Sequence, residues 1–153
     1  MREALKEAKK AFEKDEVPVG AIIVYKGKVV SKGHNLRESK NDPTAHAEII
    51  ALRKVAKKLG DWRLDECDIY VTLEPCPMCA SAILYSRIKR VIFGAFDKDN
   101  GAFGSKINLL DIFANSKSHI DIKGGILKEE CEAIIQSFFK GVRRKYNNAG
   151  RDG

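Results

Sequence analysis

Long apolar runs are missing from this sequence, and no segment approaches the 18 consecutive apolar residues that a membrane-spanning helix needs. Residues 1–6 are charged and lack the apolar core of a signal peptide. Internal repeats and low-complexity tracts are also missing. These absences argue against membrane and exported proteins, so we expect a cytoplasmic protein that makes no contact with a membrane.

The composition is that of a globular protein. Apolar residues make up 44% of the 153 residues and charged residues 32%, and this length predicts one domain over residues 1–153. The net charge of +7 is partly concentrated in 137–151, which holds five basic residues and no acid. Such a segment fits either phosphate binding or a solvated helix end that the helix dipole stabilises.

Cysteine is scarce, with four residues in all. Disulfides are rare in the cytosol, so a close pair of cysteines points to metal or redox chemistry. Cys67 opens an apolar run and Cys131 lies in an amphipathic segment, and both are interpreted as small buried hydrophobic residues. Cys76 and Cys79 are left as the reactive pair.

The periodicity predicts alternating elements in the order α-β-β-α-β-α-β-α-β-α. Thr44 is predicted to cap a helix that begins at Ala45, and Pro77 is predicted at the first position of the next helix. A short helix is expected around 108–113, a fifth strand at 119–122 and a closing helix over 128–145. This alternation predicts an α/β fold, a three-layer α/β/α sandwich around one five-stranded mixed sheet.

Two short motifs carry the chemistry: His46-Ala47-Glu48 and Pro75-Cys76-Pro77-Met78-Cys79, each at the start of a predicted helix. Zinc favours thiolate and imidazole ligands, and a Cys-x-x-Cys loop can supply two of them. The helix N-terminus also favours the thiolate form. Three ligands, His46, Cys76 and Cys79, are fewer than the four of a structural site, so we predict a catalytic zinc with one position open for water.

Glu48 lies two residues beyond His46, an offset of about 200° on an ideal helix. It is therefore poorly placed as a second ligand, but it could lie beside the water and carry protons as a general acid and base. A Cys-x-x-Cys alone would also fit a structural zinc or a redox pair. His-x-Glu followed by Pro-Cys-x-x-Cys is the signature of zinc deaminases.

Beyond the zinc motifs, several blocks are similar to the bacterial tRNA-specific adenosine deaminase family, over most of the chain. These blocks include Glu16-Val17-Pro18-Val19-Gly20-Ala21, Pro43-Thr44-Ala45-His46-Ala47-Glu48, Tyr70-Val71-Thr72-Leu73-Glu74-Pro75, Val91-Ile92-Phe93-Gly94-Ala95 and Phe138-Phe139 with Arg143-Arg144. The resemblance implies a cytidine deaminase-like fold and the hydrolytic conversion of adenosine to inosine at the wobble position of a tRNA, typically an arginine tRNA. It also implies one Zn2+ per subunit, a homodimer, and Glu48 as the proton carrier.

The resemblance further assigns substrate-binding roles to matching positions. Asn35 resembles the asparagine that hydrogen-bonds the base, and Val19 and Ala47 match positions that line the pocket. Asp97 matches a residue that contacts the neighbouring ribose. On the closing helix, Phe139 and Arg143 match residues that touch the anticodon loop.

Two other functions stay open at this point. A deaminase of a free base or nucleoside, such as guanine or cytosine, would share the zinc motifs but would not need the basic closing helix. A non-catalytic zinc module that only binds RNA would have no use for Glu48.

Overall fold

The computed structural model describes residues 1–113 and 119–151, and the fold follows the predicted order of elements. The helices are α1 (Arg2–Glu13), α2 (Ala47–Leu59), α3 (Pro77–Tyr85) and α4 (Lys128–Ala149). The strands are β1 (Gly20–Tyr25), β2 (Lys28–His34), β3 (Cys67–Leu73), β4 (Arg90–Ala95) and β5 (Asp121–Lys123). A single 3-10 turn at Leu109–Asp111 replaces the short helix expected around 108–113.

The five strands form one mixed sheet in the order β2-β1-β3-β4-β5. β1 pairs antiparallel with β2 and β3, whereas β4 runs parallel to β3 and β5. Helices α1 and α4 contact each other, as do α2 and α3, so one pair covers each face. The predicted three-layer α/β/α sandwich with a five-stranded mixed sheet is confirmed.

The largest buried cluster of the core includes residues of the sheet, of α2 and of α3. Alternate residues of β1, β3 and β4 pack with Ala51 and Val55 of α2, because side chains along a strand point to opposite faces in turn. Gly33 of β2 lets α2 come close, since a Cβ there would lie 2.5 Å from the carbonyl oxygen of Ala47. This close approach fixes where α2 begins relative to the sheet.

The start of α2 differs from the prediction. The helix begins at Ala47, and its N-cap is His46 in an extended conformation rather than Thr44. Thr44 is committed elsewhere: its backbone N–H and hydroxyl both donate to Asp42 Oδ1, at 2.8 and 2.7 Å. This local turn competes with helix capping, because a short polar side chain is a ready acceptor for the backbone that follows it.

The other ends shift by a few residues. β5 is Asp121–Lys123 rather than 119–122, and α4 continues to Ala149 rather than ending at Lys145. Pro77 opens α3 as predicted. No helix within the described residues is long and apolar enough to cross a membrane.

Candidate active site

The two predicted motifs meet at the N-termini of α2 and α3. His46 is the N-cap residue of α2 and Cys76 is the N-cap residue of α3, both in an extended conformation. Cys79 lies in the first turn of α3 and is fully buried. The N-termini of the two helices therefore meet beyond the C-terminal end of β3, the central strand of the sheet.

His46, Cys76 and Cys79 form a group that could hold one metal ion. His46 Nδ1 lies 3.7 Å from Cys76 Sγ and 3.4 Å from Cys79 Sγ, and the three potential ligand atoms lie within 4.8 Å of one another. Two sulfurs and one imidazole nitrogen at this spacing are the donors that borderline-soft cations such as zinc prefer. The residues present thus fit a metal in both donor type and spacing.

The electrostatics of the pair also suits a cation. A hydrogen bond from the Cys79 thiol, helped by His46, lowers the pKa of Cys76 to about 4. The pKa of the Cys79 thiol is raised, because the protonated thiol donates a hydrogen bond to Cys76 and because the group is buried. Two adjacent thiolates repel each other, so a bound cation would be the natural means of holding both in the deprotonated form.

Glu48 lies in the first turn of α2 and is almost completely buried. Burial raises the pKa of its carboxyl above the ordinary value, although a hydrogen bond from the Cys79 thiol acts in the opposite direction. The ideal-helix offset between His46 and Glu48 does not apply, because His46 precedes the helix. Even so, both residues line the same cavity.

That cavity has a volume of about 260 Å³. The metal group is represented in its wall by His46 and Cys76, with Glu48 beside them. Four residues with predicted base or ribose contacts also lie in the wall: Val19, Asn35, Ala47 and Asp97. The volume and the mixture of apolar and polar walls are those of a pocket for a small, partly polar group.

Comparison with known proteins places this chain in a family. Residues 1–143 match the model of the MafB19-like deaminases. The tRNA-specific adenosine deaminase of Bacillus subtilis is 45% identical over 152 residues, which is 99% of this chain and 94% of that protein. The chain belongs to the tRNA-specific adenosine deaminase family.

Solved structures agree. One from a study of A-to-I editing by tRNA:A34 deaminases is 43% identical, with a TM-score of 0.78 over 86% of this chain and 94% of that chain. A guanine deaminase from Bacillus subtilis is 30% identical, with a TM-score of 0.59 over 82% of this chain and 96% of that chain. The overall fold is thus shared with a free-base deaminase, while the sequence is closer to the tRNA deaminases.

The remaining two predicted substrate residues lie apart from the cavity. Phe139 of α4 lines a second groove, of about 500 Å³, that shares Asp97 and Asn100 with the cavity wall. Arg143 is exposed further along α4 and lines neither space. The substrate-binding roles of these residues in a tRNA-specific adenosine deaminase stay predictions.

Five lining residues were missed by the sequence analysis. They are Val17, Arg37, Leu73, Glu74 and Asn100. Arg37 and Asn100 each lie within three positions of a residue that was predicted. Loops that carry one binding side chain commonly carry others, and that proximity was the available signal.

Glu74 is a structural acid. Its buried carboxylate accepts hydrogen bonds from the backbone N–H groups of Phe103 and Ser105, both at 3.3 Å, and from the Ser105 hydroxyl. Glu74 directly precedes the Pro75-Cys76 turn. Its hydrogen bonds therefore hold the loop after β4, which carries Asp97 and Asn100, next to the start of that turn.

Proposed function

We propose that this protein is a tRNA-specific adenosine deaminase that hydrolyses the wobble adenosine of a tRNA to inosine and releases ammonia. The observation that carries the proposal is a buried carboxylate, Glu48, beside a three-ligand metal group in the wall of a base-sized cavity. The 45% identity to a tRNA-specific adenosine deaminase over almost the whole chain selects the substrate. We take residues 1–153 as a single domain that carries the activity, and the cytoplasm, where tRNA is modified, as its compartment.

We propose Zn2+ as the cofactor, one ion per subunit, held by His46, Cys76 and Cys79. When bound, zinc supplies Lewis acidity and lowers the pKa of water to near neutrality. The ligand set contributes two negative charges in a buried site.

Glu48 is proposed as the catalytic proton carrier. Its carboxylate takes one proton from the attacking water and delivers it to the adenine ring. It then takes the remaining proton of the hydroxyl group added at C6 and passes it to the amine, which leaves as ammonia. The buried position supports this role, because burial favours the neutral carboxyl and thus keeps the group ready to hold a proton. The overall reaction consumes one water and exchanges the C6 amino group for oxygen.

Asn35 and Asp97 are proposed to orient the nucleoside. Asn35 Nδ2 donates to the carbonyl of Val17 at 3.2 Å and its Oδ1 accepts from Arg37 N at 3.1 Å. One Nδ2 hydrogen and one Oδ1 lone pair are left for the base. Asp97 Oδ1 accepts from the backbone of Asp99 and Asn100, which leaves Oδ2 for a ribose hydroxyl. Val19 and Ala47 would supply apolar contact to the base.

The tRNA is proposed to extend from the cavity along α4. The groove that begins beside Asp97 leads to Phe139, whose side chain is partly exposed and suited to stacking. Beyond it, Arg143 lies in a helix end with four basic residues and no acid from Lys140 onward. These charges would bind anticodon phosphates in a salt-dependent manner.

The homodimer is a further part of the proposal. Tyr85 and Ile112 are 70% and 74% exposed, and the rings of Tyr85 and Phe113 meet at a centroid distance of 5.3 Å. This apolar cluster at the end of α3 is a suitable subunit contact. Light scattering should give twice the subunit mass, and Tyr85→Lys should shift it toward the monomer. The matched change Val29→Lys, at an exposed apolar residue of β2, should leave the dimer unchanged.

The test of function is inosine formation on an arginine tRNA anticodon stem-loop with adenosine at the wobble position. Zinc-loaded wild-type protein should convert the stem-loop and leave free adenosine, cytidine and guanine unchanged. Glu48→Ala should retain stoichiometric zinc and stem-loop binding but lose activity, whereas Glu66→Ala, at an exposed glutamate, should stay active.

Each rival function predicts a different result. Ammonia from a free base, with an unchanged stem-loop, would support the free-base deaminase that the guanine deaminase structure represents. Stem-loop binding without inosine from the wild-type protein would support a non-catalytic zinc module.

A further inference from the structure

Arg37 stands out because it lines the catalytic cavity and no chemical step uses it. Among the described residues of the cavity wall it carries the one permanent positive charge, whereas Glu48, Glu74 and Asp97 are acids. A nucleic-acid strand brings a phosphate on each side of every base. An acidic wall would repel these phosphates unless a cation lay near the point where the strand enters.

The backbone that carries Arg37 is firmly held. Its N–H donates to Asn35 Oδ1 at 3.1 Å, and its carbonyl accepts from Asp42 N at 3.1 Å. The next two residues are anchored by Glu16, a carboxylate that is 1% exposed. Glu16 accepts from Glu38 N at 3.2 Å and from the backbone N–H and hydroxyl of Ser39 at 2.6 and 2.7 Å.

The guanidinium itself is only weakly engaged. Its ion pair with Glu38 spans 3.7 Å, and the two side chains are 50% and 75% exposed. Exposed pairs of this kind contribute little, because water and salt screen them and both long side chains lose freedom. Arg37 thus combines an ordered backbone with an available planar fork, the geometry that binds phosphate oxygens in pairs.

We propose that Arg37 binds one of the two phosphates that flank the target adenosine and thereby sets the register of the strand over the cavity. This inference rests on the proposed tRNA function and adds a phosphate subsite beside the base pocket. A contact made equally in the ground state and the transition state changes KM and leaves kcat nearly unchanged.

The first test compares Arg37→Ala, Arg37→Lys and the control Arg63→Ala on the wobble-adenosine stem-loop. Arg63 is matched, since it is 51% exposed and also paired with an acid, Asp61, but it lies outside the cavity wall. Arg37→Ala should lower kcat/KM by about 10- to 100-fold, mainly through KM. For the Arg37→Ala variant, the slope of log(kcat/KM) against the logarithm of the salt concentration should be shallower by about one unit. Arg37→Lys should fall between, and Arg63→Ala should match the wild type.

The second test removes the phosphate charge instead. Two stem-loops each carry one neutral methylphosphonate, on the 5′ or the 3′ side of the adenosine. A 2′-deoxy sugar before the linkage prevents cleavage, and reference stem-loops carry the same sugar. One of the two should slow the wild type about as much as Arg37→Ala does, while the Arg37→Ala variant should be indifferent to it.

Three results would overturn the inference. Equal activity of Arg37→Ala and Arg63→Ala would remove the role of Arg37 while leaving the function intact. A slow Arg37→Ala that stays fully sensitive to both methylphosphonates would assign the guanidinium to another contact, such as stacking on a base. Absence of inosine with the wild type would overturn the proposed function, and this subsite with it.

Discussion

Replacing Glu74 should reveal how much of the fold depends on one buried carboxylate. Glu74 Oε2 accepts the N–H groups of Phe103 and Ser105, and Oε1 accepts the Ser105 hydroxyl. Gly101 packs directly on the carboxylate, since a Cβ there would lie 1.9 Å from Oε2. Glu74→Ala would leave the two backbone N–H groups and the Ser105 hydroxyl without their acceptor. The closely packed Gly101 has no side chain that could replace the carboxylate.

The expected magnitude follows from these three contacts. Hydrogen bonds to a charged group contribute about 1.5–3 kcal/mol each, but burial of the carboxylate opposes them and some donors will find water. We expect Glu74→Ala to lower the free energy of unfolding by about 2–4 kcal/mol, which for a chain of this length corresponds to a fall in Tm on the order of 10 °C.

Glu74→Gln is the matched control. The glutamine oxygen can accept both backbone N–H groups, and its NH2 group can donate to the Ser105 hydroxyl, which also accepts. All three contacts survive without the charge, so we expect a loss of about 1 kcal/mol. Urea unfolding should be followed at equal zinc excess, because bound metal adds to the apparent stability. A loss below about 0.5 kcal/mol for alanine, or equal losses for both variants, would refute the reasoning.

Three further predictions concern packing, pH and metal. Gly94→Ala should destabilise by about 1–3 kcal/mol, since its Cβ would lie 2.3 Å from Cys131 Sγ, whereas Gly141→Ala, in open space on α4, should be neutral or stabilising. Equal unfolding midpoints for the two would contradict this. Burial raises the pKa of Glu16, but hydrogen bonds from Ser39 and Glu38 outweigh it and leave the pKa below its ordinary value. Its contribution is therefore present above the ordinary carboxyl pKa and lost as the pH falls through the folded-state value. The stability difference between wild type and Glu16→Gln should accordingly shrink below about pH 4, and a constant difference would count against it. Chelation of the metal should lower Tm. Adding zinc at a free concentration of about 100 times its Kd should raise the free energy of unfolding again by about 2.7 kcal/mol. An unchanged Tm would show that the group holds no ion.

The order of elements and the three-layer architecture were predictable because apolar periodicity was clear along the strands and in α1, α2 and α4. The start of α2 was not, because Thr44 is an equally good partner for a turn with Asp42 and for a helix cap. Sequence alone does not decide such competition, since both uses need the same hydroxyl. At the 3-10 turn Leu109–Asp111, Asn108 Oδ1 accepts from Leu110 N and so caps the start of the turn.

The candidate site was predictable in its chemistry and incomplete in its walls. His46, Cys76 and Cys79 were found because metal ligands follow strict spacing rules. Arg37 and Asn100 were missed because a loop residue becomes part of a pocket only through the path of the backbone. That path depends on buried acids such as Glu16, whose role no local pattern reveals.

In the last turns of α4, a side chain can be changed with little effect on folding stability, which is not true of the side chains around the cavity. Every residue from Phe139 to Ala149 is exposed, so this stretch extends about 15 Å along α4 with little packing beneath it. Substitutions at Arg143 should therefore cost the fold almost no stability, whatever their effect on the proposed binding of tRNA. At Asn35 a substitution would also remove the hydrogen bond that its Nδ2 donates to the Val17 carbonyl, so it would be expected to lower stability as well. Selection or engineering for a new nucleic-acid partner would find its least constrained positions on this helix.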